Sequence, residues 1–287
     1  MSHRILNAKI REYAPANPLE QENVLQELMQ HYVLASLARA GLFQVAMFHG
    51  GTCLRIVGGI NRFSEDLDFL LKRPDSDFRW QGYLAAVRKD CEQEGITFEV
   101  QDKAQADMTV QKAFLKTDSI GKILALDLPF DRYQARKIRI KLEIDTNPPA
   151  GSTFTTSYIT FPATVALTTQ SMESGFALKL HALLCRPYVK GRDWFDFVWY
   201  AARKTKPDLV LLDHALQQQG PWAGQVLAVT MDWVRETMEA VIGRIDWNIA
   251  RHDVQRFLPL REQAGLREWG ADFFLHHLSR MVDAGMA

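Results

Sequence analysis

The sequence predicts an α+β protein, in which an N-terminal half of helices and strands precedes a helical C-terminal half. Residues 138–145 alternate strictly between apolar and charged side chains, which is the pattern of a half-buried strand. After about residue 166, strand signals become few and five segments carry helical patterns. These segments are 171–186, 193–204, 207–218, 223–244 and 266–284. We therefore predict an α/β core over residues 1–165 and a helical domain over residues 166–287.

The predicted core begins with a helix and two short strands. Residues 19–40 place apolar side chains three and four positions apart, and Gly41 ends this helix as a C-terminal cap. Residues 43–48 are short and apolar, which predicts a buried strand, and residues 67–71 predict a second one. The remaining predicted elements before the alternating strand are a helix at 79–94 and strands at 97–100 and 111–117.

Composition excludes several classes of protein. Hydrophobic residues make up 47% of the chain and charged residues 24%, which is the balance of an ordinary folded protein. Lysine and arginine total 34, and aspartate and glutamate also total 34, so the net charge is zero. A protein that holds nucleic acid by bulk charge is therefore excluded, and any contact with RNA needs a local basic patch.

Cysteine usage and hydropathy predict a cytoplasmic protein that makes no contact with a membrane. The three cysteines, Cys53, Cys91 and Cys185, lie far apart, which argues against a disulfide framework and against a cysteine zinc site. The N-terminal segment has no apolar run, and no stretch approaches the ~18 uncharged apolar residues of a membrane span.

The strongest chemical signal joins a glycine turn to a pair of aspartates. Asp66 and Asp68 stand two apart on a predicted strand, so they share a face, where a magnesium or manganese ion would relieve their repulsion. Gly50 and Gly51 would let phosphates approach the backbone, and Thr52 adds a hydroxyl and a suitable N-cap for a short helix over 53–57. A lone turn or a lone DxD is usually structural, but this combination predicts a nucleotide and metal site.

A third carboxylate is expected from the alternating strand. Two-metal phosphoryl transfer takes carboxylates from more than one strand, and Glu143 or Asp145 could complete the set. Asp145 is preferred because it lies at the end of the strand, beside the turn at 147–149, but the pattern itself leaves both open. The alternative is that the charged face simply meets water and forms cross-strand ion pairs.

A second cluster of charged residues lies in the helical half. Lys179 and Arg186 share a stripe of one predicted helix, and Asp193 and Asp196 share a face of the next. Lys179 could neutralise a triphosphate, while either aspartate could hold that lysine, cap the helix, or bind a base or ribose. The alternative is a surface ion pair between Arg192 and Asp193, with Asp196 as a charge at the start of the helix.

Three motifs resemble those of the AbiEii/AbiGii-type nucleotidyltransferases, the toxins of type IV toxin–antitoxin systems. HGGTCLRIVGGINRFSEDLDFLL is similar to the first motif of this family, and KLHALLCRPYVKGRDWFDF is similar to the downstream Lys…Arg-Asp-x-x-Asp motif. IDWNIARHDVQRFL is similar to the C-terminal helical signature. The resemblance covers roughly residues 20–260, and its most specific part is the link between GGT and RFSEDLDF.

The resemblance implies a DNA-polymerase-β-like nucleotidyltransferase core with a helical C-terminal domain. It implies transfer of a nucleotide from an NTP, with Mg2+ or Mn2+, to an acceptor that in some relatives is the tRNA 3′ end. A cognate antitoxin would act indirectly or as a transcriptional repressor. A small molecule or a protein side chain as the acceptor, and a non-catalytic NTP-binding module, are the alternatives.

The residue patterns and the family resemblance together give a set of expected site residues. The resemblance implies that Gly51 and Thr52 meet the phosphates, that Asp66 and Asp68 bind metal, and that Lys179 and Asp196 form the downstream pair, whereas Glu143 and Asp145 come from the strand pattern. The residues expected to meet the nucleotide are Gly50, Gly51, Thr52, Ser64, Lys179 and Asp193. The residues expected to act in catalysis are Asp66, Asp68, Glu143, Asp145, Lys179 and Asp196, of which Asp66, Asp68 and Asp145 are expected to bind metal.

Overall fold

The chain divides into two compact units in the computed structural model, which describes residues 3–96, 99–102, 110–117, 129–130 and 138–286. The first unit comprises residues 1–148 and 156–169, and the second comprises residues 149–155 and 170–287. The domain boundary placed at residue 165 stays a prediction. No helix in the described part of the chain is both long enough and apolar enough to cross a membrane.

Helices and strands alternate through the first part of the chain. The helices are α1 (His3–Tyr13), α2 (Pro18–Arg39), α3 (Leu42–Val45), α4 (Gly50–Cys53), which continues as a π-helical turn over Leu54–Gly58, and α5 (Gln81–Gln93). The strands are β1 (Ala46–His49), β2 (Asp66–Leu71), β3 (Glu99–Asp102), β4 (Val110–Thr117), β5 (Ile138–Asp145), β6 (Phe154–Ile159) and β7 (Val165–Gln170).

The described strands form one mixed sheet of seven strands in the order β3-β4-β5-β2-β1-β7-β6. β2 lies at its centre, antiparallel to β1 and parallel to β5, while β4 runs antiparallel to β5. Helices after the sheet complete the chain, so the predicted α+β class, with a mixed sheet followed by a helical region, is confirmed.

Burial explains why the central strands form. On β5 the apolar residues Ile140, Leu142 and Ile144 are fully buried, and the charged residues between them remain partly exposed. This alternation confirms the predicted half-buried strand over 138–145.

Two local predictions are wrong near the first strand. Residues 43–48 were expected to form one strand, but Leu42–Val45 make a helical turn and the strand covers Ala46–His49. Gly41 has a φ of +85°, which reverses the chain after α2 and starts that extra turn. Thr52 is not an N-cap either, because α4 already begins at Gly50 after the extended residue His49.

The C-terminal part of the chain is helical. Its α-helices are α6 (Met172–Cys185), α7 (Gly191–Ala202), α8 (Leu209–Gln218), α9 (Met231–Ile242), α10 (Trp247–Gln255) and α11 (Ala271–Met286), and Leu260–Glu268 form a 3-10 helix. Aromatic rings of three helices make its core, where Trp247 stacks on Phe274 at 4.1 Å and Trp194 packs edge-on against both.

Candidate active site

The DxD pair lies on the central strand of the sheet. Leu67 and Phe69 are buried on one face of β2, and Asp66 and Asp68 point to the other face, where both are partly exposed. The strand is therefore anchored by its apolar residues, and the two carboxylates stand side by side where water and ligands can reach them.

The register between β2 and β5 decides which carboxylate joins the pair. In this parallel pairing Asp68 lies opposite Glu143, and Asp66 lies opposite Lys141. Asp145 lies two residues further along β5, opposite Leu70. Paired residues of adjacent strands share a face, so the sheet brings Glu143 directly beside Asp68.

Asp145 has a different environment at the end of β5. Its Oδ1 atom accepts a hydrogen bond of 2.9 Å from the backbone N–H of Asn147, which ties the carboxylate to the turn that follows. Burial raises the pKa of Asp145, and the Asn147 hydrogen bond only partly offsets this effect. A metal-binding role for Asp145 stays a prediction, while the register favours Glu143.

A lysine lies among the carboxylates. The Nζ atom of Lys141 is 2.8 Å from Oε2 of Glu143 and 3.9 Å from Oδ2 of Asp66. Burial lowers the pKa of Lys141, but the Glu143 hydrogen bond and the charges of Asp66, Glu143 and Asp68 outweigh burial, so the net shift is upward. On the outer side, Nζ of Lys112 from β4 is 3.3 Å from Oε1 of Glu143.

The glycine turn packs against the second aspartate. β1 pairs with β2 so that His49 lies opposite Asp68, and the turn begins at the next residue. Gly50 has a φ of +76°, and a Cβ atom on it would lie 2.6 Å from Oδ2 of Asp68. Only glycine fits here, because a side chain would be strained and would displace the carboxylate.

The second glycine covers a buried arginine. A Cβ atom on Gly51 would lie 2.5 Å from Nη2 of Arg62 and 3.0 Å from Oγ of Ser64. Arg62 is 2% exposed, and its Nη1 donates a 3.0 Å hydrogen bond to the carbonyl of Phe63. The turn therefore has a fixed positive charge directly behind it, and sequence reasoning did not single out Arg62.

Thr52 acts within the protein rather than at the surface of the turn. Its side chain is fully buried, and its hydroxyl donates a hydrogen bond to the backbone carbonyl of Asp66. This bond joins α4 to the start of β2 and fixes the turn beside the aspartates. A contact between Thr52 and a nucleotide phosphate stays a prediction.

The charged cluster of the second unit is a buried ionic network between α6 and α7. Nζ of Lys179 lies 2.7 Å from Oδ1 of Asp193 and 2.8 Å from Oδ2 of Asp196, and Arg186 pairs with the other oxygen of Asp193. Asp193 is 4% exposed and Asp196 is fully buried. The positive charge of Lys179 is thus shared between two carboxylates, and its contact with a triphosphate stays a prediction.

The surroundings of Asp193 explain its charge state and its partners. Burial raises the pKa of Asp193, but the nearby charges of Lys179, Lys190 and Arg186 outweigh burial, so its pKa is held below the usual range. Asp193 is not at the surface, because it is 4% exposed and its carboxylate pairs with Lys179 and Arg186, while Arg192 faces Asp253 and stacks on Phe257. The alternative of a solvated Arg192–Asp193 pair is wrong.

The carboxylates of the described residues do not by themselves have the geometry of a metal site. Within the ranges that the structure describes, no three histidine, cysteine, aspartate or glutamate side chains surround a single point as they stand. Asp66, Asp68 and Glu143 do share one face, and the Lys141 ammonium lies between Glu143 and Asp66. This donor set suits a hard divalent cation, which prefers carboxylate oxygens.

A family model described as nucleotidyl transferase AbiEii toxin, type IV TA system, matches residues 32–276. The chain belongs to the AbiEii family. This AbiEii protein is therefore a nucleotidyltransferase, and its family implies a nucleotide substrate and a cognate antitoxin. The matched residues include both the glycine turn with its aspartates and the buried ionic network of the second unit.

Two solved structures are similar to this chain. JHP933 from Helicobacter pylori has a TM-score of 0.50 and 17% identity, and the match covers 91% of the AbiEii chain and 93% of JHP933. A candidate nucleotidyltransferase from H. pylori has a TM-score of 0.49 and 17% identity, with 91% and 96% of the two chains covered. The comparison with curated proteins finds no match. The predicted nucleotidyltransferase core with a helical C-terminal region is confirmed.

Replacing Gly50 tests how closely the turn packs on Asp68. Gly50 and Gly59 both have positive φ, +76° and +75°, but a Cβ atom on Gly59 meets nothing within 4 Å. Gly50→Ala and Gly59→Ala should each lose ~1–2 kcal/mol of unfolding free energy to backbone strain, and Gly50→Ala should lose more because of the added contact with Asp68. Only Gly50→Ala should lose transfer activity, on the order of 10-fold or more, because it also displaces Asp68. Equal activities in the two variants, measured by pyrophosphate release, would refute this packing.

Acid unfolding tests the ionic network. Because the folded-state pKa of Asp193 is depressed, its contribution to stability is complete above pH ~4 and is lost as the pH falls through the folded-state value. Asp193→Asn should lower the unfolding free energy by about 3 kcal/mol at neutral pH and flatten its decline below pH ~4. Urea unfolding across pH provides the measurement.

The control for Asp193→Asn is the exposed Arg235–Asp232 pair, whose side chains are 40% and 64% exposed. Asp232→Asn should change the unfolding free energy by less than ~0.5 kcal/mol. If Asp193→Asn behaves like this control, then the network does not stabilise the second unit.

Proposed function

We propose that this chain transfers NMP from an NTP to an acceptor hydroxyl at the face formed by β2 and β5. The observation that carries the proposal is the register of these strands. Asp66 and Asp68 lie on one face of β2, and the register puts Glu143 of β5 on that same face, beside Asp68. Membership of the AbiEii family supports nucleotidyl transfer as the reaction.

We propose Asp66, Asp68 and Glu143 as the residues that hold a divalent cation, Mg2+ or Mn2+. Nucleotidyltransferases generally use an NTP and a divalent metal ion. When bound, such an ion would offset the carboxylate charges and the charge that develops on the reacting phosphate. Glu143 replaces Asp145 in this set because its strand register places it against Asp68, whereas Asp145 is tied to the backbone of Asn147.

The glycine turn is proposed as the phosphate-binding part of the site. Gly50 and Gly51 lack side chains that would keep a triphosphate away, and Gly50 abuts the Asp68 carboxylate. Arg62 lies directly behind Gly51 and lends the turn a positive charge that is already ordered before a nucleotide arrives. Ser64, which lies against the same glycine, adds a hydroxyl that could contact the nucleotide.

The buried network is proposed to position residues rather than to contact the transferred group. Lys179 on α6 forms ion pairs with Asp193 and Asp196 on α7, and these pairs hold the two helices together. Loss of Lys179 would leave two buried carboxylates with one cation fewer, and loss of Asp196 would leave Lys179 paired with Asp193 alone. Either change would unbalance buried charges and disturb the site without any contact with the substrate.

The proposed acceptor is RNA, at the tRNA 3′ end. This part rests on the family, whose members are toxins, because a nucleotide added at that end would block aminoacylation and stop growth. Transfer to a small molecule or a protein side chain is the competing possibility, and a pocket that binds NTP without turnover is the other.

Transfer assays with site variants test the proposal. Purified protein is mixed with Mg2+, total RNA and each NTP labelled at its α-phosphate, and the label is followed in RNA, protein and small-molecule fractions. Asp66→Asn, Asp68→Asn and Glu143→Gln should each lower transfer by more than ~100-fold, because they remove proposed ligands. Asp145→Asn should stay within a few-fold of the parent protein.

The paired outcomes separate the alternatives. Label found in protein or in small molecules instead of RNA would change the proposed acceptor but leave the proposed site unchanged. Transfer activity that survives Asp66→Asn and Asp68→Asn would contradict the mechanism. Transfer activity that is lost in Asp145→Asn but kept in Glu143→Gln would assign the third carboxylate to Asp145 instead. Melting temperatures of all four variants control for unfolding.

A further inference from the structure

Four charged side chains form a group, here called the square, on one partly exposed face of β2 and β5: Asp66, Asp68, Lys141 and Glu143. Asp66 and Asp68 occupy two corners on β2, and Lys141 and Glu143 occupy the facing corners on β5. Cross-strand neighbours stand roughly 5 Å apart, and residues two apart on a strand stand roughly 7 Å apart. Three corners are carboxylates and the fourth is an ammonium.

The ammonium of Lys141 is directed into the square rather than away from it. Its Nζ atom is 2.8 Å from Glu143, on its own strand, and 3.9 Å from Asp66, on the neighbouring strand. Lys112 also contacts Glu143, but from the far side and at 3.3 Å, and its side chain is 40% exposed against 28% for Lys141. Lys141 therefore contacts carboxylates of both strands.

We propose that Lys141 is the resident counter-ion of this site, and that its ammonium must leave the carboxylates before a divalent cation binds, so that Lys141 sets the metal affinity. The inference rests on the proposed function, since it takes Asp66, Asp68 and Glu143 as the metal-binding residues. It adds a residue that lies outside the three motifs that resemble the family.

Charge and flexibility both support exchange between the ammonium and a metal ion. Three carboxylates on one small face repel each other, so the metal-free protein needs a positive charge among them. A lysine can supply that charge and then withdraw, because its ammonium sits on a flexible four-carbon stem. Lys141 is partly exposed, so its head can turn towards water without unfolding the strand.

Lys141 would therefore stabilise the metal-free protein and at the same time weaken its affinity for a divalent cation. With Lys141 in place, the metal-free face is neutralised, but an arriving cation competes with the ammonium for the same oxygens. Without it, the carboxylates repel each other until a metal binds. A charge-removing substitution should therefore destabilise the metal-free protein and tighten its hold on metal.

The test measures Mn2+ binding to the full chain by isothermal titration calorimetry, with no nucleotide present. Lys141→Gln and Lys141→Met should bind Mn2+ about tenfold more tightly than the parent, because a positive charge beside the ion is gone. Lys141→Arg keeps the charge and should stay within about threefold of the parent. Lys112→Gln is the matched control and should also change the affinity by less than about threefold.

Melting temperatures provide a second readout that does not depend on catalysis. Without metal, Lys141→Gln and Lys141→Met should melt below the parent, and saturating Mn2+ should raise their melting temperatures more than it raises that of the parent. If one of the two uncharged variants fails to fold, the other still gives the binding constant.

The outcomes separate this inference from the proposed function. Mn2+ binding that depends on Asp66 but is equally tight in the parent and Lys141→Gln would overturn the role of Lys141 and leave the metal site intact. Weaker binding in Lys141→Gln would also overturn it, since the lysine would then be holding Glu143 in place. No Asp66-dependent binding in any of the proteins would overturn both. Equal tightening in Lys112→Gln would show a general charge effect and would likewise overturn it.

Discussion

The repulsion between carboxylates held at one face of the sheet is the constraint on which the site depends. Asp66, Asp68 and Glu143 are kept together because burial of the apolar residues between them fixes the register of β2 and β5. A slip of β5 by one residue would turn Glu143 to the opposite face, towards the core, and separate it from Asp66 and Asp68. The hydrophobic core therefore forces like charges into proximity, and a cation, either Lys141 or a bound metal, has to offset them.

The surrounding elements serve that arrangement. The turn at Gly50 closes on the carboxylate of Asp68, the buried Thr52 hydroxyl ties the same segment to the start of β2, and Arg62 fills the space behind Gly51. Gly50 is the position where these contacts are most restrictive, because its φ is positive and a Cβ atom there would meet the Asp68 carboxylate. Strand, turn and arginine are thus joined by direct contacts, which suits a site whose phosphate-binding groups are ordered before chemistry.

Local patterns in the sequence predicted the parts of the fold that depend on local chemistry. The alternation over 138–145 identified β5 because a period of two is unambiguous there, whereas the apolar run at 43–48 concealed a helical turn that depends on the positive φ of Gly41. The choice between Glu143 and Asp145 was open because it depends on pairing with a strand about 75 residues away. Arg62 and Lys141 were missed for the same reason, since burial and cross-strand pairs are non-local.

A crystal structure of the protein with Mn2+ and a non-hydrolysable NTP analogue tests the central claim most directly. The account predicts anomalous density for manganese within roughly 2.2 Å of oxygens from Asp66, Asp68 and Glu143, the triphosphate against Gly50 and Gly51, and the Lys141 ammonium withdrawn from Glu143. Manganese bound through Asp145 with Glu143 still paired to Lys141 would contradict it, as would a triphosphate located away from the glycine turn.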